Sequence, residues 1–128
     1  MKQTRVLLAL GTNNGQEINL KKAKKIICEL LTGCQFTPCL WTEPIDIVSD
    51  RFLNALAIGT TALSMEQLQA KLKQVERALG DNKGQHRDGV VNMDIDLLQY
   101  GRRRLKPEDW QKPYIQELIK ILPYDKDI

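Results

Sequence analysis

The sequence predicts an α+β sandwich in which strands and helices alternate in the order β-α-β-β-α-β, followed by a helical tail. Three observations carry this reading. A short apolar run opens the chain, two stretches repeat their apolar residues at helical spacing, and a late run alternates apolar with acidic residues.

Thr4 to Leu10 (TRVLLAL) is continuous, apolar and partly β-branched, which suits a buried strand. Gly11-Thr12-Asn13-Asn14-Gly15 breaks it. From Gln16 to Leu31, Leu20, Ala23, Ile27, Leu30 and Leu31 fall on one helical face. The lysines lie largely on the other face, and Gly33 is the stop. Gln35 to Trp41 reads as a second strand, Glu43 to Asp50 with Pro44 as a loop, and Phe52 to Thr61 as a third strand. Ser64 and Gln67 form a capping box. Met65, Leu68, Leu72, Val75 and Leu79 then repeat at three- and four-residue steps up to Gly80, where a helix-ending glycine belongs. Asp81 to Gly89 is glycine-rich and polar and reads as a mobile loop, Val90 to Leu98 as a fourth strand, and Pro107 to Leu122 as a helical tail. Right-handed crossovers place both main helices on one face of a four-stranded sheet, the ferredoxin-like arrangement. The other face is then bare and needs a cover.

Composition narrows the function classes. The 128 residues suit one domain, with 1–100 as its core and 101–128 as a tail. The net charge of +3 suits an anionic ligand without arguing for nucleic acid. No apolar run approaches the roughly 18 residues of a membrane span, and no secretory leader is apparent. Cys28, Cys34 and Cys39 follow no metal-binding spacing and read as thiols of a reducing cytoplasm. His86 is the single histidine, which leaves little for zinc or a Ser-His-Asp triad.

The chemistry concentrates in the last strand. Alternation sends Met93, Ile95 and Leu97 toward the helices, and Asn92, Asp94 and Asp96 toward the open face. Two aspartates one pleat apart have Cα atoms about 7 Å apart, so their carboxylates can converge. Like charges placed so need a cation, and hard oxygens favour Mg²⁺. The competing reading is a charged edge strand that resists aggregation.

Asp94-Ile95-Asp96-Leu97-Leu98, preceded by Val75-Glu76 and Gly80, resembles the signature of the 6-hydroxymethyl-7,8-dihydropterin pyrophosphokinase family of folate synthesis. Ala9-Leu10-Gly11-Thr12-Asn13 resembles that family's opening strand and turn, Thr42-Glu43-Pro44-Ile45 its pterin-side loop, and Phe52-Leu53-Asn54-Ala55 a strand start. The resemblance implies transfer of pyrophosphate from ATP to the hydroxymethyl group of a dihydropterin, with AMP as co-product. It implies two Mg²⁺ ions on Asp94 and Asp96, with Lys83 and Arg87 also serving catalysis. ATP would be bound by Glu76, Lys83, His86, Arg87, Ile95 and Arg102, and the pterin by Thr42, Pro44, Ile45, Phe52 and Asn54. Small molecules would be the partners of a cytoplasmic monomer, without nucleic acid or membrane.

The chain departs from that pattern in two places. Asp81-Asn82-Lys83 stands where the family has basic-x-basic, and Asp88-Gly89-Val90-Val91 where it has Trp-x-Pro-Arg, so Val91 replaces an arginine. Beyond Tyr100 the family's His-Pro pair, following arginine and second pterin-stacking aromatic find no clear counterpart, as in a C-terminally shortened member. Trp110 and Tyr114 either stand in for that aromatic or pack the tail onto the sheet, and packing is the preferred reading. The alternative is an impaired member that binds pterin or nucleotide without transfer. An RNA-recognition module shares the element order, but here it would offer Phe52 alone for base stacking.

Overall fold

A computed structural model describes residues 2–44 and 50–122. The chain runs β1 (Thr4–Thr12), α1 (Gln16–Leu30), β2 (Thr32–Phe36), β3 (Leu40–Thr42), β4 (Phe52–Thr61), α2 (Met65–Ala78), α3 (Lys83–Arg87), β5 (Asp94–Tyr100), β6 (Arg103–Arg104), α4 (Pro107–Trp110) and α5 (Pro113–Lys120). The strands form one antiparallel sheet ordered β2-β4-β1-β5-β6, with β3 also on β4.

The sheet therefore has six strands rather than the expected four, for two local reasons. The expected strand Gln35–Trp41 is cut. Pro38 has no N–H to give a ladder, and Thr37 turns inward, its Oγ1 accepting from Leu56 N at 2.9 Å. The two pieces, β2 and β3, follow each other along the same side of β4, opposite Thr60–Ala57 and Asn54–Phe52. The second addition is β6, a two-residue return strand in which Arg104 pairs with Gln99 and Arg103 with Tyr100. The four expected lanes remain as β2/β3, β4, β1 and β5.

β1 lies at the centre because it is apolar on both faces. Val6, Leu8 and Leu10 join Leu20, Ala23 and Ile27 of α1 and Leu68, Leu72 and Val75 of α2 in one core. Met93, Ile95 and Leu97 face that core too, as alternation requires. The capping box of α2 is present, Ser64 Oγ accepting from Gln67 N and Gln67 Oε1 from Ser64 N.

The opposite face is not bare. Leu7, Ala9, Leu56, Ile58 and Leu98 pack beneath Trp110, Ile115 and Leu118, so the tail turns back across the sheet. Trp110 is the pin: its Nε1 donates to Leu105 O at 2.9 Å and to Leu98 O at 3.2 Å, and the Arg104 guanidinium stacks 4.2 Å from its ring centre.

Two more expectations are corrected. Asp81–Gly89 is not a loose loop but holds the turn of α3, whose first turn Asn82 caps by accepting from Gln85 N. The fourth strand begins at Asp94 rather than Val90, because the preceding backbone is committed elsewhere. Val91 N donates to Asn13 Oδ1 at 2.7 Å, and Asn13 N to Val91 O at 3.0 Å. Asn92 accordingly leaves the Asp94 face, its amide lying between Leu79 O and Asn14 Nδ2. The three cysteines are free thiols, and burial pushes Cys34 up to about 12.

Removing the pin should loosen the tail. Trp110→Ala should cost about 3–5 kcal/mol, read as a lower urea midpoint. An unchanged midpoint would mean that the tail contributes little to the fold.

Candidate active site

Strand register builds the site. Gly11 of β1 pairs with Asn54 of β4 on one side and with Asp94 of β5 on the other. Ala9 likewise sits between Leu56 and Asp96. The side chains of these residues point to the tail-covered face, and at Ala9 and Gly11 the sheet offers almost no side chain. The result is a cavity of about 140 Å³, with Ala9 and Gly11 as floor and Asn54, Phe52, Thr42, Glu43, Asp94, Asp96, Lys112 and Tyr114 among its walls.

Asn54 is buried and held on two sides. Its Nδ2 donates to Thr42 Oγ1 at 2.8 Å and to Leu40 O at 3.2 Å. With the nitrogen so engaged, the amide has one orientation, and its Oδ1 lies over Gly11, 2.9 Å from where a Cβ would stand. Only glycine leaves that oxygen in place.

Asp94 is surrounded by acid. Burial, then the charges of Asp96 and Glu76, push its carboxyl from 3.8 up to about 8. Glu76 is itself buried, its Oε2 accepting from Ile95 N at 2.7 Å and its Oε1 lying 3.4 Å from Lys73 Nζ. Compensation comes from the tail. Lys106 Nζ sits 2.9 Å from Asp96 Oδ1, and that hydrogen bond raises the lysine above its ordinary value. Lys112 enters the same cavity, braced by Asp109 at 3.0 Å. Among the described residues no three His, Cys, Asp or Glu side chains make a metal cage. A pair of hard carboxylates, one of them unfavourable as an anion without a cation, is the donor set Mg²⁺ uses when phosphates fill its remaining positions. The residues present fit that ion.

A second cavity, of about 310 Å³, runs between α2 and β5, lined by Gln69, Ala70, Leu72, Lys73, Ile95, Leu97 and Lys106. Asp96 borders both cavities.

The structure thus brings Thr42, Phe52, Asn54, Asp94 and Asp96 around one cavity. Pro44 is half-buried just beyond Glu43, and Ile45 lies outside the described residues. Glu76 and Ile95 meet through the carboxylate-to-backbone bond, and Ile95 lines the second cavity. Lys83, His86 and Arg87 on α3 and Arg102 in the β5–β6 turn are exposed and stand outside both linings. Asp81, the acidic departure in the loop, anchors α3 instead. Its Oδ1 accepts from Asn92 N at 2.9 Å and Met93 N at 3.4 Å, and its Oδ2 lies 2.6 Å from His86 Nε2.

Sequence reasoning missed Lys106 and Lys112, and favoured packing for Tyr114 over a stand-in for the missing aromatic. Tyr114 does pack on the second core, and it also lines the cavity. The overlooked signal was order. Lys106-Pro107, Lys112 and Tyr114 repeat the sequence of a basic-proline pair, a cation and an aromatic, with lysine as the cation each time.

A family model described as 7,8-dihydro-6-hydroxymethylpterin-pyrophosphokinase matches residues 7–124, a span that runs on past Tyr100 through the tail. Among curated proteins, the chain is 30% identical to a folate synthesis bifunctional protein of Arabidopsis thaliana, over 96% of this chain and 28% of the relative. It is 31% identical to a mitochondrial folate synthesis bifunctional protein of Pisum sativum, over 86% of the chain and 23% of the relative. A folate synthesis bifunctional protein of Chlamydia caviae is also 31% identical, over 85% and 26%. The chain spans about a quarter of the length of these relatives.

Two predictions follow from the geometry. Because the folded state raises the Asp94 pKa above its ordinary value, the fold binds a proton there that the unfolded chain releases, and stability falls as pH rises toward about 8. In metal-free buffer the melting temperature should drop by about 10 °C between about pH 5 and about pH 8. Asp94→Asn should largely flatten that slope, and an equal slope in the variant would disprove the assignment. Separately, Gly11→Ala should displace the Asn54 amide, 2.9 Å from the added Cβ, at a stability cost of roughly 1–3 kcal/mol read as a lower urea midpoint.

Proposed function

The chain belongs to the 7,8-dihydro-6-hydroxymethylpterin-pyrophosphokinase family, and from that premise we propose that it transfers pyrophosphate from ATP to the hydroxymethyl group of 6-hydroxymethyl-7,8-dihydropterin, releasing AMP. The observation that carries the reading is the row Asn54–Gly11–Asp94. It sets a fixed amide acceptor and an acidic pair on opposite sides of one small-floored cavity.

The pterin is the flat partner. The Asn54 carbonyl accepts from an N–H of its aminopyrimidine edge, and Thr42 fixes the amide that does so. Phe52 and Tyr114 supply aromatic surface for its ring. Pro44 and Ile45 belong to the same substrate-side segment. The bound pterin then points its hydroxymethyl group toward the acidic side of the cavity.

Asp94 and Asp96 would hold Mg²⁺, two ions on this reading, and the metal would supply charge neutralisation of the triphosphate and polarisation of its β-phosphorus. Glu76 keeps β5 in position from behind, through the Ile95 amide. Phosphoryl-type transfer asks chiefly for alignment and charge neutralisation. Lys112 and Lys106 supply positive charge beside Asp96, and Lys83, Arg87 and Arg102 are exposed cations, with His86 an exposed imidazole on the same helix as Lys83 and Arg87, open to the phosphate tail. Glu76 and Ile95 flank the nucleotide on the α2 side, where the second cavity lies.

The test is AMP release from ATP. It should require both the dihydropterin and Mg²⁺, and it should fall by about three orders of magnitude in Asp94→Ala and in Asp96→Ala. Asn54→Ala should weaken pterin binding while leaving binding of a non-hydrolysable ATP analogue intact. If no AMP forms under any metal or pterin condition, the reading is wrong. Calorimetric binding of both ligands without turnover would instead identify a binding protein.

A further inference from the structure

Lys106 is the one non-glycine residue among the described residues with a positive φ, 53°. Left-handed backbone is unfavourable for a residue with a Cβ and persists where the surroundings impose it. Here both flanks are tied down: Leu105 N donates to Leu98 O and Asp109 N to Lys106 O, each at 2.9 Å. Trp110 wedges the following turn against the sheet. The strained backbone starts a side chain that ends 2.9 Å from Asp96 Oδ1.

That contact is specific to Asp96. Two other lysines of the region are engaged elsewhere, Lys73 with Glu76 and Lys112 with Asp109. Asp96 is the carboxylate shared by the two cavities, and the larger cavity carries Lys106 and Lys73 on its wall. A single ammonium thus occupies an oxygen of the donor set that suits a divalent cation. It is also free to leave, since the Lys106 side chain is 49% exposed and Asp96 22%.

We propose that Lys106 is a resident counter-ion of Asp96. It competes with divalent cations for that carboxylate, and a polyphosphate in the cavity between α2 and β5 draws it off. The inference rests on the metal role given to Asp96 above. The exchange is one of hydrogen bonds: Lys106 N–H leaves a carboxylate oxygen for a phosphate oxygen, and the freed carboxylate accepts the metal. Metal and polyphosphate then help each other to bind, and by linkage the help is reciprocal.

The probes are Mn²⁺ alone and inorganic tripolyphosphate alone, each followed by calorimetry on the full chain. Lys106→Met should bind Mn²⁺ roughly two- to fivefold tighter, as expected on removing a half-exposed ion pair, and tripolyphosphate weaker by a similar factor. A purely structural residue would not move two ligands in opposite directions. Lys106→Gly, which relieves the backbone and removes the amine, should behave like Lys106→Met, and Lys106→Arg should stay near the original protein. Lys112→Met is the control for general charge. If it tightens Mn²⁺ as much as Lys106→Met does, or if Lys106→Met shifts both ligands the same way or neither, the counter-ion role is overturned. AMP formation by the unaltered protein would then still stand. Failure of the unaltered protein to bind Mn²⁺ or to form AMP would remove the functional reading as well.

Discussion

The register of β1 against its two neighbours is the constraint on which the site depends. Because β1 is central, one of its residues faces β4 and β5 at once. At Gly11 that residue has no side chain, so Asn54 and Asp94 look across a gap one strand wide. Shifting either ladder by one residue would turn Asn54 or Asp94 into the helix-side core, where an amide or a carboxylate has no partner. The apolar pattern of β1 enforces the register from below, through Leu8 and Leu10 against α1 and α2. Folding and site formation therefore draw on the same alternation.

The acidic cluster is the cost of that arrangement. Asp94, Asp96 and Glu76 converge at the start of β5, and burial leaves Asp94 poorly suited to remain an anion alone. Three different neighbours answer the charge. Ile95 N answers Glu76 from the backbone, Lys73 from the exposed flank of α2, and Lys106 answers Asp96 from the returning tail. The tail thus has two tasks. It buries apolar surface through Trp110, Ile115 and Leu118, and it delivers Lys112 and Tyr114 to the first cavity and Lys106 to the second, beside Asp96. The first task makes the second reliable, since a cation held by a packed indole is better placed than one on a free loop.

Much of this was legible in the chain. The Asp94-Ile95-Asp96 alternation carries its own face assignment, and the Ser64–Gln67 box announces α2 without tertiary help. Asn54 entered through the family resemblance, and the partner that an amide amid apolar strand residues needs is Thr42. What was hidden depends on distant returns. Pro38 interrupts an edge lane only because Thr37 finds Leu56 across the sheet. Lys106 is an ordinary lysine until the β5–β6 return and the Trp110 wedge aim it at Asp96, and no local pattern encodes that. The expected free loop at Asp81–Gly89 failed in part for the same reason, since one of its anchors, Asn13, bonds Gly89 O from 76 residues away.

The position of Asp81 ties these threads together. Where the family pattern has a basic residue, this chain places a carboxylate that is nearly buried, its side chain 8% exposed. A cation there would face the backbone N–H groups of Asn92 and Met93, which need an acceptor. An acid satisfies them, and it also holds His86. The loop is thereby fastened to the start of the strand that bears Asp94, and positive charge at the cavity comes instead from Lys106 and Lys112. On the proposed reading, a fastened loop beside a cation-bearing tail would meet the requirement that a basic loop would otherwise meet, because transfer of a pyrophosphoryl group depends on where charge sits in the aligned complex and not on which segment carries it.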